Sequence, residues 1–342
     1  MAETKKQLKR ILSIDGGGIR GIIPGQILVI LEEKLKTKTG NSDARIADFF
    51  DLIAGTSTGG ILTLAYLTPA EEIAGQELRP KFSASQVVDL YLKRGGDIFN
   101  VPFGHKLRTM GGVFDEMYPV SELEKALNDY FGDTRLSQLL KPCLITSYDI
   151  KHRQGHFFTQ HDAKRKKGWD YLIRDVGRAT SAAPTYFECS DIKSVTEVSY
   201  PLIDGGVFVN NPTMCAFAEV YNEYKTAPDQ MAILSLGTGF SKKEYDYNKA
   251  KDWGMIQWVK PLIDIMMSGV SEVVDFQLKQ MFEAVGAKGQ YFRLNVELPI
   301  DVSHDMDDAS PKNLLALKEL GTYTAQNFDA ELDAFVELIV QE

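Results

Sequence analysis

Cysteine is scarce in this chain: Cys143, Cys189 and Cys215 are the only three in 342 residues. Their odd number, wide separation and lack of metal-ligand spacing exclude a disulfide framework or a zinc module, and fit free thiols in a reducing compartment with a packing role. Long hydrophobic runs are missing as well. No stretch approaches the ~18 apolar residues that cross a bilayer. The apolar run after the basic start, Met1 to Arg10, stops at Ile14, which is too short for a signal-peptide core. The expectation is a soluble, cytoplasmic protein. Positive charge is in deficit, with 38 Lys and Arg against 47 Asp and Glu and a net charge of −9. That balance argues against DNA or RNA as a partner and against bulk attraction to anionic lipid. Internal repeats, low-complexity tracts and linkers are also lacking, so the chain reads as one domain over residues 1–342.

What is present centres on Gly55-Thr56-Ser57-Thr58-Gly59. It follows the apolar run Phe49 to Ala54 and precedes Gly60 to Leu67. Strand, tight turn and helix place Ser57 at the corner with its hydroxyl exposed, and the small flanking glycines let strand and helix pass close together.

An earlier strand, Ile11 to Ile14, runs into Asp15-Gly16-Gly17-Gly18-Ile19-Arg20-Gly21 and then a helix with Pro24 near its first turn. Gly16, Gly18 and Gly21 match the dinucleotide-binding fingerprint. That fingerprint also needs an acidic residue at the end of the following strand, about 20 positions on, whereas Glu32 and Glu33 fall inside the helix. The competing reading is a row of backbone N–H groups facing a concavity beside a helix N-terminus, suited to a developing oxyanion.

Further along, Ser85 is expected to open a helix that Gly95-Gly96 closes, and Ser121-x-x-Glu124 forms a capping box. The glycine-rich, aromatic loop between Ile98 and Pro119 is a candidate cover. A strand from Cys143 to Tyr148 leads into a hairpin-like piece with His156. The run Lys164-Arg165-Lys166-Lys167 beside Trp169 reads first as a solvated loop. Its functional alternative is a contact for anionic lipid headgroups or a phosphorylated ligand, which charge reversal would weaken. Tyr200 to Ile203 forms a strand ending in Asp204-Gly205-Gly206, an ordinary turn signal that nevertheless sits at a strand end like Asp15 and Ser57. A methionine-rich helical pattern from Gly254 to Ala287 suits core packing, or alternatively a mobile cover or lipid-facing surface. Strands alternating with helices make this an α/β layered fold, with its site at the carboxyl edge of the sheet.

A serine nucleophile needs a base. Among the histidines, His105, His152, His156 and His161 lie in loops or the hairpin, and His304 in an acidic loop. The order Ser57, Asp204, His304 would satisfy an α/β-hydrolase triad.

Four motifs, in this order and spacing, carry a different answer: Asp15 to Gly21, Gly55 to Gly59, Arg178-Ala179-Thr180-Ser181-Ala182-Ala183-Pro184, and Asp204-Gly205-Gly206. Together they resemble the patatin-like phospholipases, over a core from about residue 11 to 217, with residues 218–342 completing the domain. The resemblance implies a three-layer sandwich with a mainly parallel central sheet, related to cytosolic phospholipase A2. It implies a Ser57–Asp204 dyad, an oxyanion hole of Gly16, Gly17 and Gly18 assisted by Arg20, and neither metal nor cofactor. Asp204 must then be a better base than an ordinary carboxylate of pKa ~3.9, which burial would provide. Without a signal peptide the chain looks most similar to the bacterial cytoplasmic members of that family. The implied partner is membrane phospholipid at the inner face of the membrane. A cyclic dinucleotide activator and an anti-phage effector role follow from the same likeness. A storage or nucleotide-binding protein without turnover is the non-enzymatic alternative.

Overall fold

A computed structural model describes residues 8–340 except 72–74, 76, 100–116 and 243. Four strands run parallel: β1 (Lys9–Ile14), β2 (Leu52–Thr56), β7 (Met231–Leu236) and β8 (Tyr291–Leu294), with β1 between β2 and β7 and β8 at the edge of the sheet. β3 (Cys143–Asp149) extends the parallel set beyond β2. β4 (Gln154–Thr159), β5 (Ser190–Lys193) and β6 (Ser199–Asp204) add antiparallel pairs, completing an eight-stranded sheet.

Successive strand residues face opposite helical layers, as the two-residue period of a strand requires. Leu12, Ile53 and Leu234 enter the larger core, while Ile11, Leu52, Ala54 and Ile233 enter the smaller one. The larger core is shared with α1 (Ile22–Thr39), α2 (Thr58–Leu67), α3 (Ala84–Ile98), α4 (Ser121–Phe131), the short α5 (Gln160–Arg165) and α6 (Ile173–Thr180). The C-terminal α9 (Pro311–Asn327) and α10 (Asp329–Ile339) join the same layer. The smaller core is covered by α7 (Thr213–Tyr224) and the C-terminal half of α8 (Met255–Ala284). This is the three-layer α/β sandwich with a mainly parallel sheet that the motifs imply.

The register around β3 matters most for function. β4 pairs with β3 along residues 144–149 and so occupies one whole side of it. On the other side, β2 lies beside residues 143–146 and β6 beside 147–149. β2 and β6 therefore meet end to end along one edge of β3, running toward each other, with Thr56 beside Thr146 and Asp204 beside Ser147.

Three local expectations are corrected. Ser83, not Ser85, caps α3 by accepting from the Gln86 N–H, and the helix continues through Gly95 to Ile98. A Cβ at Gly95 would lie 2.7 Å from Ile19 Cδ1, so the glycine is a contact point with the loop before α1, not a stop. Val120 precedes α4 and no side chain caps it, so the capping box does not form; Glu124 instead faces Arg178 at 3.5 Å. Cys143 is buried and Cys215 partly so, but Cys189 is exposed, against a packing role for all three.

Candidate active site

Ser57 takes the corner between β2 and α2 with φ 54° and ψ −122°, a strained conformation for a residue with a side chain. The chain can turn so sharply because Gly59 carries no Cβ; one there would stand 2.2 Å from the Ile14 carbonyl oxygen. The Ser57 N–H donates to Thr180 Oγ1 at 2.9 Å, and Thr180 Oγ1 donates to the Thr146 carbonyl at 2.7 Å. That chain of bonds uses α6 and β3 to hold the turn. Thr58 is tied down in the same way by Tyr91, 2.7 Å away. The sequence marks 178–184 as a run of small residues, but nothing in it singles out the Thr180 hydroxyl.

Ser57 Oγ donates to Asp204 Oδ2 at 2.6 Å. The other carboxylate oxygen accepts the Gly206 N–H at 2.7 Å, while Gly205 packs against Thr146. Asp204 is buried, and burial pushes its pKa up to about 6, with the Ser57 and Gly206 hydrogen bonds pulling the other way. An aspartate so placed holds a proton far more readily than one in water while remaining ionised at neutral pH.

The glycine loop lies opposite. Gly18 has φ 58°, and a Cβ there would meet the Met306 carbonyl at 2.2 Å. The Ile19 N–H donates to that carbonyl at 2.8 Å. The N–H groups of Gly17 and Gly18 have no acceptor among the described residues, and both glycines border the cavity onto which Ser57 and Asp204 open. Two expected members of the oxyanion group are corrected. The Gly16 N–H is already committed to the Asn210 carbonyl at 3.0 Å. Arg20 is buried and borders a different, polar cavity with Asp264 and Asn210, where its Nε has no partner among the described residues and burial lowers its pKa. Gly21 ends the short turn before α1 and packs on Thr58. Asp15, at the root of the loop, is held by a two-pronged pair with Arg293, at 2.9 and 2.5 Å. The only sequence sign of that anchor is a charged residue inside a buried strand.

The cavity has a volume of about 350 Å³, within the roughly 300–1,000 Å³ common for small-molecule sites. Its walls are almost wholly apolar, with Ile61, Leu90, Ile98, Phe99 and Leu127 on one side and Ile263, Met266 and Met267 of α8 on another. Such walls can hold a hydrocarbon chain while the reacting carbonyl sits between Ser57 and the two free N–H groups. Phe99 brings one end of the candidate covering loop to this wall, but residues 100–116, including His105, lie outside the described residues.

None of the described histidines joins the pair. His304 Nδ1 lies 2.9 Å from Ser241 Oγ, His152 contacts Asp149, and His161 contacts Glu219. His156 is buried among aromatic rings, and burial lowers its pKa to about 4. The triad through His304 is therefore overturned, because Asp204 reaches Ser57 directly. The dinucleotide reading falls too, since Glu32 is buried in α1 and its carboxylate lies 3.2 Å from the Ala84 N–H. In the basic run Arg165 pairs with Glu223 at 2.7 Å, while Lys164, Lys166 and Lys167 are exposed and Trp169 stacks on His156 with 36% of its surface still open. His161, Glu219 and Glu223 are the one group of side chains among the described residues close enough to share an ion, and there His161 pairs with Glu219 at 2.8 Å and Glu223 with Arg165 at 2.7 Å.

A family model described as patatin-like phospholipase matches residues 12–217. Patatin-like protein 2 of Arabidopsis thaliana is 36% identical over 93% of this chain and 83% of its own length. Patatin-like protein 2 of Oryza sativa subsp. indica is 34% identical over 93% of this chain and 84% of its own. VipD of Legionella pneumophila superposes with a TM-score of 0.36 and 12% identity over 93% of this chain and 67% of that one, too distant to bear on the site. On the family model and these plant relatives, the chain belongs to the patatin-like phospholipase family, whose members are generally lipid acyl hydrolases.

Proposed function

We propose that this protein is a phospholipase of the A type, cleaving acyl esters of membrane glycerophospholipids with Ser57 as nucleophile and Asp204 as base. The observation that carries the reading is the 2.6 Å bond from Ser57 Oγ to a buried Asp204 at the mouth of an apolar cavity.

Ser57 Oγ attacks the ester carbonyl carbon as its proton passes to Asp204 Oδ2. The tetrahedral oxyanion accepts hydrogen bonds from Gly17 and Gly18, each such donor being worth ~3 kcal/mol in comparable sites. Collapse expels the lysophospholipid alkoxide, which takes the proton from Asp204 and leaves an acyl-serine. Water then attacks the acyl group, giving its proton to Asp204, and fatty acid departs as Ser57 regains a proton. The raised pKa of Asp204 suits both halves of the cycle.

The test is fatty-acid release from mixed phospholipid vesicles. Ser57→Ala and Asp204→Asn are expected to lose ~10³-fold or more, while His304→Ala keeps full turnover. Equal rates for all four proteins would sink the dyad. Labelling of Ser57 by a fluorophosphonate separates a working enzyme from a storage or nucleotide-binding protein that keeps only the motifs. A narrower form of the proposal, action at the inner face of the membrane under a cyclic dinucleotide activator in anti-phage defence, rests on the sequence resemblance alone. Release that is independent of a cyclic dinucleotide panel removes it.

A further inference from the structure

An α-helix on a protein surface normally turns its apolar stripe inward and its polar face to water. The first two-thirds of α8 does the reverse. Met255 is 87% exposed, Leu262 49%, Val273 54% and Phe276 65%, and Trp258, Val259, Ile265 and Met266 are also exposed. These positions recur at three- and four-residue spacing, so they form one stripe on one side of the helix, about 30 Å long at 1.5 Å per residue. Glu272 is the one exposed charge among the described side chains from 255 to 276. The helix therefore presents to solvent the kind of continuous apolar surface that marks an interaction site.

Two further observations say what the stripe meets. It is continuous with the entrance of the cavity, because Met266 is 47% exposed and also lines the cavity wall with Ile263 and Met267. At its N-terminal end, Tyr245, Trp253 and Trp258 form a chain of edge-to-face rings, with centroids 5.7 and 5.1 Å apart. Tyrosine and tryptophan, apolar in body with a polar tip, are the residues that settle at a lipid–water boundary.

We infer that the outward stripe of α8 docks the protein on a phospholipid bilayer and seats the cavity mouth against it. This deepens the proposed phospholipase reading and rests on it for the choice of lipid over a second protein. The charge balance selects the kind of surface. Asp264, Glu272 and Asp275 of the same helix line the polar cavity behind the stripe, and the whole chain carries −9, so the fit is to a zwitterionic surface such as phosphatidylcholine, entered by apolar burial, not to an anionic one approached by attraction.

The experiment uses the full chain carrying Ser57→Ala, so that vesicles stay intact whether or not the catalytic reading is right. Flotation with phosphatidylcholine or phosphatidylglycerol vesicles measures partition, and brominated phosphatidylcholine quenches the fluorescence of tryptophan that enters the bilayer. The expected result is partition to phosphatidylcholine at least as strong as to phosphatidylglycerol, with quenching that Trp258→Phe removes. The combined variant Leu262→Glu, Val273→Glu and Phe276→Glu should lower partition at least tenfold. In the Ser57-bearing protein it should lower vesicle hydrolysis by a similar factor while hydrolysis of a water-soluble short-chain ester stays within twofold. Unchanged partition in the charged variant, absent quenching, or preference for the anionic vesicles overturns the inference. So does a dimer that the same substitutions disperse with no vesicle partition, which would assign the stripe to a second copy of the chain. If the charged variant does not fold, Trp258 quenching in the otherwise unsubstituted protein still decides. Failure of ester hydrolysis with partition intact would count against the dyad and leave the docking surface standing.

Discussion

Two apolar helices flank the cavity and live in opposite surroundings. All residues of α2, from Thr58 to Leu67, are buried, and the helix packs on β1, β2, β3, α3 and α6. α8 rests on β8, α7 and the turn Gly205–Val207, while Met255, Leu262 and Val273 along its outer stripe face solvent. Apolar composition is common to both. The closed side of the site, made of the glycine loop and α2, is built to hold a strained serine in one position, whereas the open side made by α8 is built to be covered by something else. Rigidity at Ser57 and exposure at the entrance are thus separate tasks given to separate elements.

Substitutions should divide along that line. The largest effect is expected at Gly59→Ala, where a Cβ would press on the Ile14 carbonyl at 2.2 Å; a loss above ~4 kcal/mol, or failure to fold, is expected in denaturant unfolding. Arg293→Met comes next. It strands the buried Asp15 carboxylate at the root of the loop and should cost ~3–4 kcal/mol by the same measurement. A wild-type midpoint in either variant would mean the closed side is not rigid.

A smaller change is expected at Asp204, and with the opposite sign. Because the folded-state pKa of Asp204 is raised to about 6, the native state holds its proton longer than the unfolded chain does. Its contribution to stability is therefore complete at pH below ~4 and is lost as pH rises toward about 6. Asp204→Asn should raise stability at pH 7 by ~1–3 kcal/mol while abolishing turnover. In the native enzyme, kcat/KM for a soluble ester should fall about tenfold per pH unit below pH ~6, since only ionised Asp204 can accept the serine proton. A flat profile from pH 5 to 8 would remove Asp204 as base. The smallest effect is on α8: Val273→Glu is expected to change unfolding free energy by less than ~0.5 kcal/mol. A large loss there would show that the stripe is covered in the folded protein and would erase the contrast with α2.

Legibility in the sequence follows the range of the interactions involved. The strand, turn and helix around Ser57 and the glycine loop before α1 are written in contiguous residues, because hydrophobic period and the positions where only glycine fits are local properties. Taken by itself, the Asp204 motif is legible only as a strand end; its pairing with Ser57, 147 residues earlier, is legible only through the family resemblance. The end of α3 escaped for a similar reason. Gly95 reads locally as a helix end, yet contact with Ile19 makes it a helix interior. Arg20 adjoins the loop in sequence, but its side chain turns into the other cavity.

The amino-acid sequence by itself determined the layered α/β class, the family and the residue types that the chemistry needs, since these depend on local geometry and on motifs short enough to be read in order. Only the tertiary structure decided that β6 runs head-on into β2 along the edge of β3, which is what brings Asp204 to Ser57 without a histidine between them. It alone decided that the Gly16 N–H is spent on Asn210 and that the apolar stripe of α8 faces outward. The physical reason is the same in each case: a periodic pattern records which groups are apolar or able to hydrogen-bond, while the partner that covers or satisfies them is set by segments far away in the chain.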